Sequence, residues 1–327
     1  MVKTRASAPR LGGMVRAHSA RRTIDPAGRI KIDGHPKSEW RTDLRRINNF
    51  RNLVTIILFY LQTVTIIFVT TQLNNLAIYF VAILLMGRAH AQIASLMHEA
   101  AHRMLFSNRR INDFVGRWLL GYIAFTNTDG YRHAHMAHHR HEFGPDEPDI
   151  PLYANYPISN ASFRRKILRD ISGISGFRLG RLQLRGLSSP DARSRRAQWR
   201  ILAFQIGLAA LSITTGHWMI YFVLWLLPYL TVWRVINRLR SIAEHGGLRA
   251  DEDRRITTHA VRQQLFARFF LVPYNIGWHL AHHVDAGIPF RSLPKYHREL
   301  ERSGFVDDED QYPNYLSLWR ALRTSTV

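Results

Sequence analysis

Apolar residues in this chain gather into four long runs, separated by stretches that are polar and strongly basic. The first run is Leu53–Thr70, apolar or hydroxylic throughout. The second starts at Leu76, stays uncharged to Gly87, then continues as Arg88-Ala89-His90-Ala91-Gln92-Ile93 toward Met97. The third is Ile201–Gly216 and the fourth Trp218–Ile236. A helix rises about 1.5 Å per residue, so roughly 20 residues cross the ~30 Å hydrocarbon layer of a bilayer. The first, third and fourth runs lie near that length. The second turns polar past its uncharged half, which predicts that its C-terminal part leaves the hydrocarbon or lines a protein cavity. The expected fold class is an all-α integral membrane protein. It should have about four transmembrane helices (about 53–70, 76–97, 201–216 and 218–236) in two hairpins, with a helical cytosolic cap.

Charge orients these spans. The connections 71–75 and 215–217 carry no Lys or Arg, whereas 1–52, 98–200 and 237–327 are studded with them. By the positive-inside rule both termini are cytoplasmic and the two connections are short external turns. Trp199, Trp218 and Trp233 sit near the expected span ends, where interfacial aromatics belong. The whole chain carries 45 Lys+Arg against 24 Asp+Glu, a net charge of +21. An excess of that size suits nucleic acid, an anionic membrane surface or an acidic partner protein. Because the basic residues flank apolar spans, membrane topology accounts for them and no nucleic-acid partner is expected. The segment 163–200 interleaves Arg with Ile, Leu and Phe and is expected as amphipathic helices lying on the membrane surface. Residues 1–48 lack the apolar core of a secretory leader. They are expected as a basic, disordered cytosolic arm, with a transit peptide as the alternative. Residues 49–300 would form the main domain and 301–327 a cytosolic tail.

Composition narrows the chemistry further. There is no cysteine, which excludes disulfides, thiolate-ligated haem and cysteine-bound iron–sulfur clusters within this chain. Histidine, with 17 copies, is the overused residue. Three clusters stand out: His98-Glu99-Ala100-Ala101-His102, His135-Met136-Ala137-His138-His139 and His279-Leu280-Ala281-His282-His283. Residues at i, i+3 and i+4 share one helix face, so each cluster can aim two or three imidazoles at one point. A single pair arises by chance on surface helices. Eight histidines in three clusters, all assigned to one side of the membrane by charge, are hard to explain as solvated or core residues. One metal takes four to six ligands, so eight or more imidazoles imply two metals. His133 and His141 lie two residues from a box histidine, roughly 200° around a helix, and should face away.

These boxes make the chain similar to the membrane fatty acid desaturase family and its related hydroxylases, which carry one HxxxH and two HxxHH boxes in this order. The resemblance covers roughly 49–300. It extends to Gly144-Pro145-Asp146-Glu147-Pro148-Asp149, to Asn275-Ile276-Gly277-Trp278 and to Pro289-Phe290-Arg291-Ser292-Leu293-Pro294. It implies a non-haem centre of two iron ions, held by His98, His102, His135, His138, His139, His279, His282 and His283. His245, in Ser241-Ile242-Ala243-Glu244-His245, resembles the further ligand that the family often supplies after its last span. Glu99, Asp146, Asp149, Asn275 and Asp285 are candidates for the groups that orient these imidazoles. His90, eight residues before His98 and nearly on its stripe, is a candidate for the substrate channel, and Arg88 is expected at headgroup level.

The resemblance also implies the reaction: O2-dependent insertion of a double bond into an acyl chain or similar amphiphile. Hydroxylation on the same scaffold is the alternative. Two electrons must come from an external donor, a ferredoxin or a cytochrome, since no flavin, dinucleotide or haem module is visible. From another class, His98-Glu99-Ala100-Ala101-His102 also fits HExxH, the helix motif of zinc metalloproteases. Such an enzyme has no use for two additional HxxHH clusters. A metal store or transporter ranks lower still, because the spans carry few polar groups beyond Arg88, His90 and Gln92.

Overall fold

The computed structural model describes residues 9–15 and 28–323. They are mostly helical; among them the only strands are a two-residue parallel pair, Ala260–Val261 with Gln311–Tyr312. Two long antiparallel helices dominate, α1 (Asn49–Leu73) and α2 (Leu76–Ala101). Asn74, in the left-handed conformation at φ 41°, and Asn75, whose side chain accepts the Ala77 N–H, turn one into the other. Asn is among the few residues that reach this conformation at low cost. Leu58, Leu61, Phe68 and Phe80 stay exposed along this hairpin. Such a belt of bare apolar side chains fits a lipid environment and not water.

Three helical stretches are long and apolar enough to cross a membrane: Ser38–Leu73, Leu76–Ala101 and Trp218–His245. The third expected span behaves differently. Its helix, α6, covers Ala192–Thr214 and starts with Arg193, Arg195, Arg196 and Arg200, so its apolar part is confined to the second half. The fourth expected span holds a π-helical turn at Phe222–Leu226 and bends at Thr231 before continuing as α7 (Val232–His245). Between the two hairpin regions lie α3 (Thr128–His141), α4 (Asn160–Ile171) and α5 (Ile174–Arg185). The last two expose Leu168, Ile171, Phe177 and Leu182, an apolar edge that matches the amphipathic reading of 163–200.

Helix α2 is the centrepiece. At 26 residues it is about 39 Å long, more than the hydrocarbon needs. From Met86 nearly every residue is buried, as α3, α7 and the C-terminal segments pack around it. Gly87 lets α7 come close: a Cβ there would lie 2.2 Å from Val232 Cγ1.

Residues 9–15 and 28–48 are more ordered than their composition implies. Arg10 donates to the Asn155 and Pro157 carbonyls, and the Gly12 and Met14 N–H groups donate to Leu248 and Gly247. Ile30 and Leu44 are fully buried against Leu280, Ile288 and Tyr296. The expectation of a disordered arm therefore does not hold for 9–15 and 28–48. Sparse apolar residues at the right positions anchor a stretch whose average composition is polar. Residues 1–8 and 16–27, the rest of that arm, lie outside the described residues, as do 324–327. The tail also packs, with Phe305, Val306 and Leu318 buried.

Candidate metal centre

Four segments bring their histidines to one place. Helix α2 carries His98 in its last turn, with His102 as its C-cap; α3 presents His135, His138 and His139; α7 ends on His245; and the short helix α8 (His279–Val284) carries the third box. Asp113 and Arg132 fix how α3 meets α2. Arg132 donates to Asp113 at 2.6 Å and to the carbonyls of Ala100 and Ala101 at 3.0 and 2.9 Å. The last turn of α2 and the first half of α3 are thereby tied together, which sets the first box against the second.

The ring nitrogens fall into two neighbouring groups. Ligand atoms of His98, His102, His135, His139 and His282 all lie within 4.8 Å of one another, and so do those of His138, His245 and His283. His279 joins the second group, its Nε2 being 3.1 Å from His245 Nε2. Nε2 atoms in the first group approach each other in series: His102 to His135 at 2.9 Å, His135 to His139 at 3.1 Å and His139 to His282 at 3.0 Å. Two neutral imidazoles can share one proton. A larger convergence of lone pairs needs a cation between them.

Hydrogen bonding points the same way. Both ring nitrogens of His98 and the Nε2 of His283 are buried with no partner, a costly arrangement unless a metal takes the lone pair. The opposite ring nitrogens are well held. His138 Nδ1 is 2.7 Å from Glu147 Oε1, His245 Nδ1 donates to the Thr257 carbonyl at 2.8 Å, and His283 Nδ1 donates to Glu142. Glu142 is braced by Arg254 at 2.6 Å, and Glu147 accepts the Phe143 N–H at 3.0 Å. Each arrangement places the ring proton on Nδ1 and frees Nε2 to point inward, the usual way a protein orients a ligating histidine.

Electrostatics keep most of these rings neutral. Burial first, and then the mutual repulsion of neighbouring imidazoles, lowers His135, His139, His279, His282 and His283 well below the usual range. Burial, helped by Arg132 and His138, takes His102 to about 3. Neutral imidazole is the ligating form. His138 differs: burial lowers it, but the Glu147 carboxylate outweighs that and the net shift is upward.

The other sequence candidates have varied positions. Asp149 sits with Glu147 beside His138, and burial raises its pKa. Asp146 is exposed; the carboxylate on the second box is that of its neighbour Glu147, because the loop turns Asp146 outward. Asp285 faces Arg41, at 2.6 and 3.1 Å, and not an imidazole. Glu99 is buried and accepts the Phe290 N–H at 3.1 Å, so its hydrogen bond holds the loop after the third box. Asn275 is a backbone feature, left-handed at φ 63°, whose carbonyl accepts the Trp278 N–H just ahead of that box. His133 and His141 are exposed, away from the cluster. Arg88 is buried, donating to the Phe269 carbonyl and to Gln62 and Gln92, instead of reaching the headgroups. His90 bonds the Trp225 carbonyl at 3.1 Å and lines a cavity of about 250 Å³ that also touches His135, His138, His245 and His279.

Glu142 and Glu147 were not among the residues singled out by spacing. Glu142 carried a signal, being three and four residues after His139 and His138 on the same helical face. Glu147 sits in an acidic loop where only the fold distinguishes one carboxylate from another.

Sequence comparison agrees with this geometry. The fatty acid desaturase family model matches residues 74–319, which contain every histidine of the cluster. The chain belongs to the fatty acid desaturase family. That membership places it among the oxidoreductases. A dihydrorhizobitoxine desaturase of Bradyrhizobium elkanii is 27% identical over 233 residues, 67% of this chain and 66% of that protein. A delta(5) fatty acid desaturase of Caenorhabditis elegans is 37% identical over 90 residues, 25% of this chain and 19% of that protein. The matches thus span just under two thirds of the first relative's length and about a fifth of the second's. Within this desaturase scaffold, buried histidine groups suited to metal ions and membrane-length helices occur together.

Proposed function

We propose that this chain is a membrane-bound oxygenase that removes two vicinal hydrogens from an amphiphilic substrate, using two non-haem iron ions. His98, His102, His135, His139 and His282 would hold one ion, and His138, His245, His279 and His283 the other. The overall change is –CH2–CH2– + O2 + 2 e⁻ + 2 H⁺ → –CH=CH– + 2 H2O. Two electrons therefore come from an external carrier, a ferredoxin or a cytochrome. When bound, the two irons supply the activation of O2 that an unactivated C–H bond demands. The chain's own part is orientation. Glu142, Glu147 and the Thr257 carbonyl keep protons on Nδ1 of His283, His138 and His245, while the burial of the site excludes bulk water.

The observation that supports this reading most is the nearness of two largely buried groups of imidazoles, with no thiol among them. A zinc protease would use Glu99 as a base next to His98 and His102. Glu99 is instead committed to the Phe290 N–H. The proposed topology has four helices in two hairpins, the apolar half of α6 and the first half of the 218–245 stretch forming the second. Both termini and the centre then face the cytoplasm, where a basic surface favours an acidic electron carrier. His138→Ala or His282→Ala should lose iron and all turnover while the protein still inserts. Full activity in either variant would refute the ligand assignment.

A further inference from the structure

The cavity beside the histidines has strongly polar walls. Ala94, Met97, Ala124 and Leu152 are the only lining side chains without an N–H or an oxygen. Helix α7 contributes a polar stripe: Arg234, Asn237, Ser241 and His245 follow at intervals of three and four residues and all face this space. That stripe lies in the second half of the 218–245 stretch, the half that the proposed topology leaves on the cytoplasmic side of the hydrocarbon, and it lines the cavity. A charge drawn out of bulk water is costly unless it serves a ligand or has a partner.

Three arginines of α7 can be compared. Arg238 is neutralised by Asp170, one of its bonds being 3.0 Å, and Arg240 by Glu244 at 2.6 Å. Arg234 has no carboxylate partner among the described residues. Its Nε donates to the Tyr229 carbonyl at 3.0 Å, and its guanidinium lies 4.1 Å over the Tyr229 ring, which fixes it in place. Its remaining N–H groups are free for an anion. Along the helix, Arg234 is eleven residues, about 16 Å, from His245 and on nearly the same face. Elsewhere in the wall, Asp149 forms no ion pair among the described residues. At about 250 Å³ the space falls below the roughly 300–1,000 Å³ of pockets that hold drug-sized ligands.

Resting on the oxygenase reading above, we infer that the substrate is a compact carboxylic acid whose carboxylate pairs with Arg234, holding its aliphatic part against the histidine centre. A long acyl chain suits this space poorly: it needs an apolar tunnel, and burying methylenes would leave the polar groups of the wall without hydrogen bonds. The planar guanidinium fork fits a carboxylate with two parallel N–H···O bonds. Arg234 is then a specificity residue, reading the end of the substrate remote from the reacting carbons.

The carboxylate could belong to a small metabolite or to a free fatty acid, and the test separates them. The full-length, metal-loaded protein in detergent is titrated with hexanoate, 1-hexanol and stearate, following the rise in unfolding temperature that a bound ligand causes. Hexanoate should bind with saturation and 1-hexanol should not. Arg234→Gln should weaken hexanoate about tenfold or more, with Arg234→Lys between the two, and stearate should bind no more tightly than hexanoate. The lysine variant covers the case in which loss of the charge alone prevents folding. Equal binding of hexanoate and 1-hexanol, or equal hexanoate affinity in wild type and Arg234→Gln, would overturn the proposal. So would stearate binding much more tightly than hexanoate. Arg234-dependent hexanoate binding by a protein that contains no iron would leave the carboxylate site standing and remove the oxygenase reading.

Discussion

His138 and His283 are each gripped from behind by a carboxylate, and each carboxylate has its own support: the Phe143 N–H for Glu147, Arg254 for Glu142. Removing the charge leaves the ring free to rotate and lowers the basicity of Nε2. Glu142→Gln or Glu147→Gln should weaken metal retention about 10–100-fold, measured by competition with a chelator. Unchanged retention in both variants would mean that these acids only fill space. The residue scale also shows which parts of the site could be read from sequence. The three boxes declared themselves through spacing, and His245 through resemblance to the family. Asp146, Asp285 and Glu147 are all acids near a box, and nothing in their local sequence tells which one turns inward. Asp285 pairs with Arg41, 244 positions away, a contact no local pattern can reveal.

At the scale of helices, the site depends on how α2 is docked. Burial works against the Asp113 carboxylate, but Arg132 outweighs it and, with Asn112 and Arg103, holds its pKa below the ordinary 3.8. A carboxyl group with a depressed folded-state pKa stabilises above its ordinary pKa, and the effect fades as pH falls through the folded value. Asp113→Asn should therefore lower thermal stability at pH 7, and the deficit should shrink as the pH is taken below the ordinary 3.8, read by unfolding at several pH values. A deficit that persists unchanged in acid would contradict this origin. The crossing of α2 with α7 rests on Gly87, where a side chain would collide with Val232. Gly87→Val should destabilise by about 1–3 kcal/mol, and Val232→Ala should restore part of it. Independent, additive effects of the two changes would show that the helices do not meet there as described. Sequence pattern gave the existence of these helices, since long apolar runs are unmistakable. It did not show that the apolar run of α6 is continued by an arginine-rich N-terminal half in the same helix, and it could not foresee the bend at Thr231.

For the whole molecule, the account requires that every histidine segment lie on one side of the bilayer. The natural chain has no cysteine, so single cysteines introduced one at a time report their own exposure without background. Asn74→Cys and Thr215→Cys should react with a membrane-impermeant thiol reagent in intact cells, and Ser303→Cys only after permeabilisation. Labelling of Ser303→Cys in intact cells would place the cap on the wrong face. The packing of residues 28–48 onto the third-box segment also belongs to this scale. Ile30 and Leu44 reach a core formed by residues more than 200 positions away, which composition averaged along the chain conceals.

The central claim is that these imidazoles enclose a pair of iron ions, and counting the metals in the purified, unsubstituted protein tests it most directly. The account predicts about two irons per chain, with zinc well below one. About one zinc and negligible iron would contradict it.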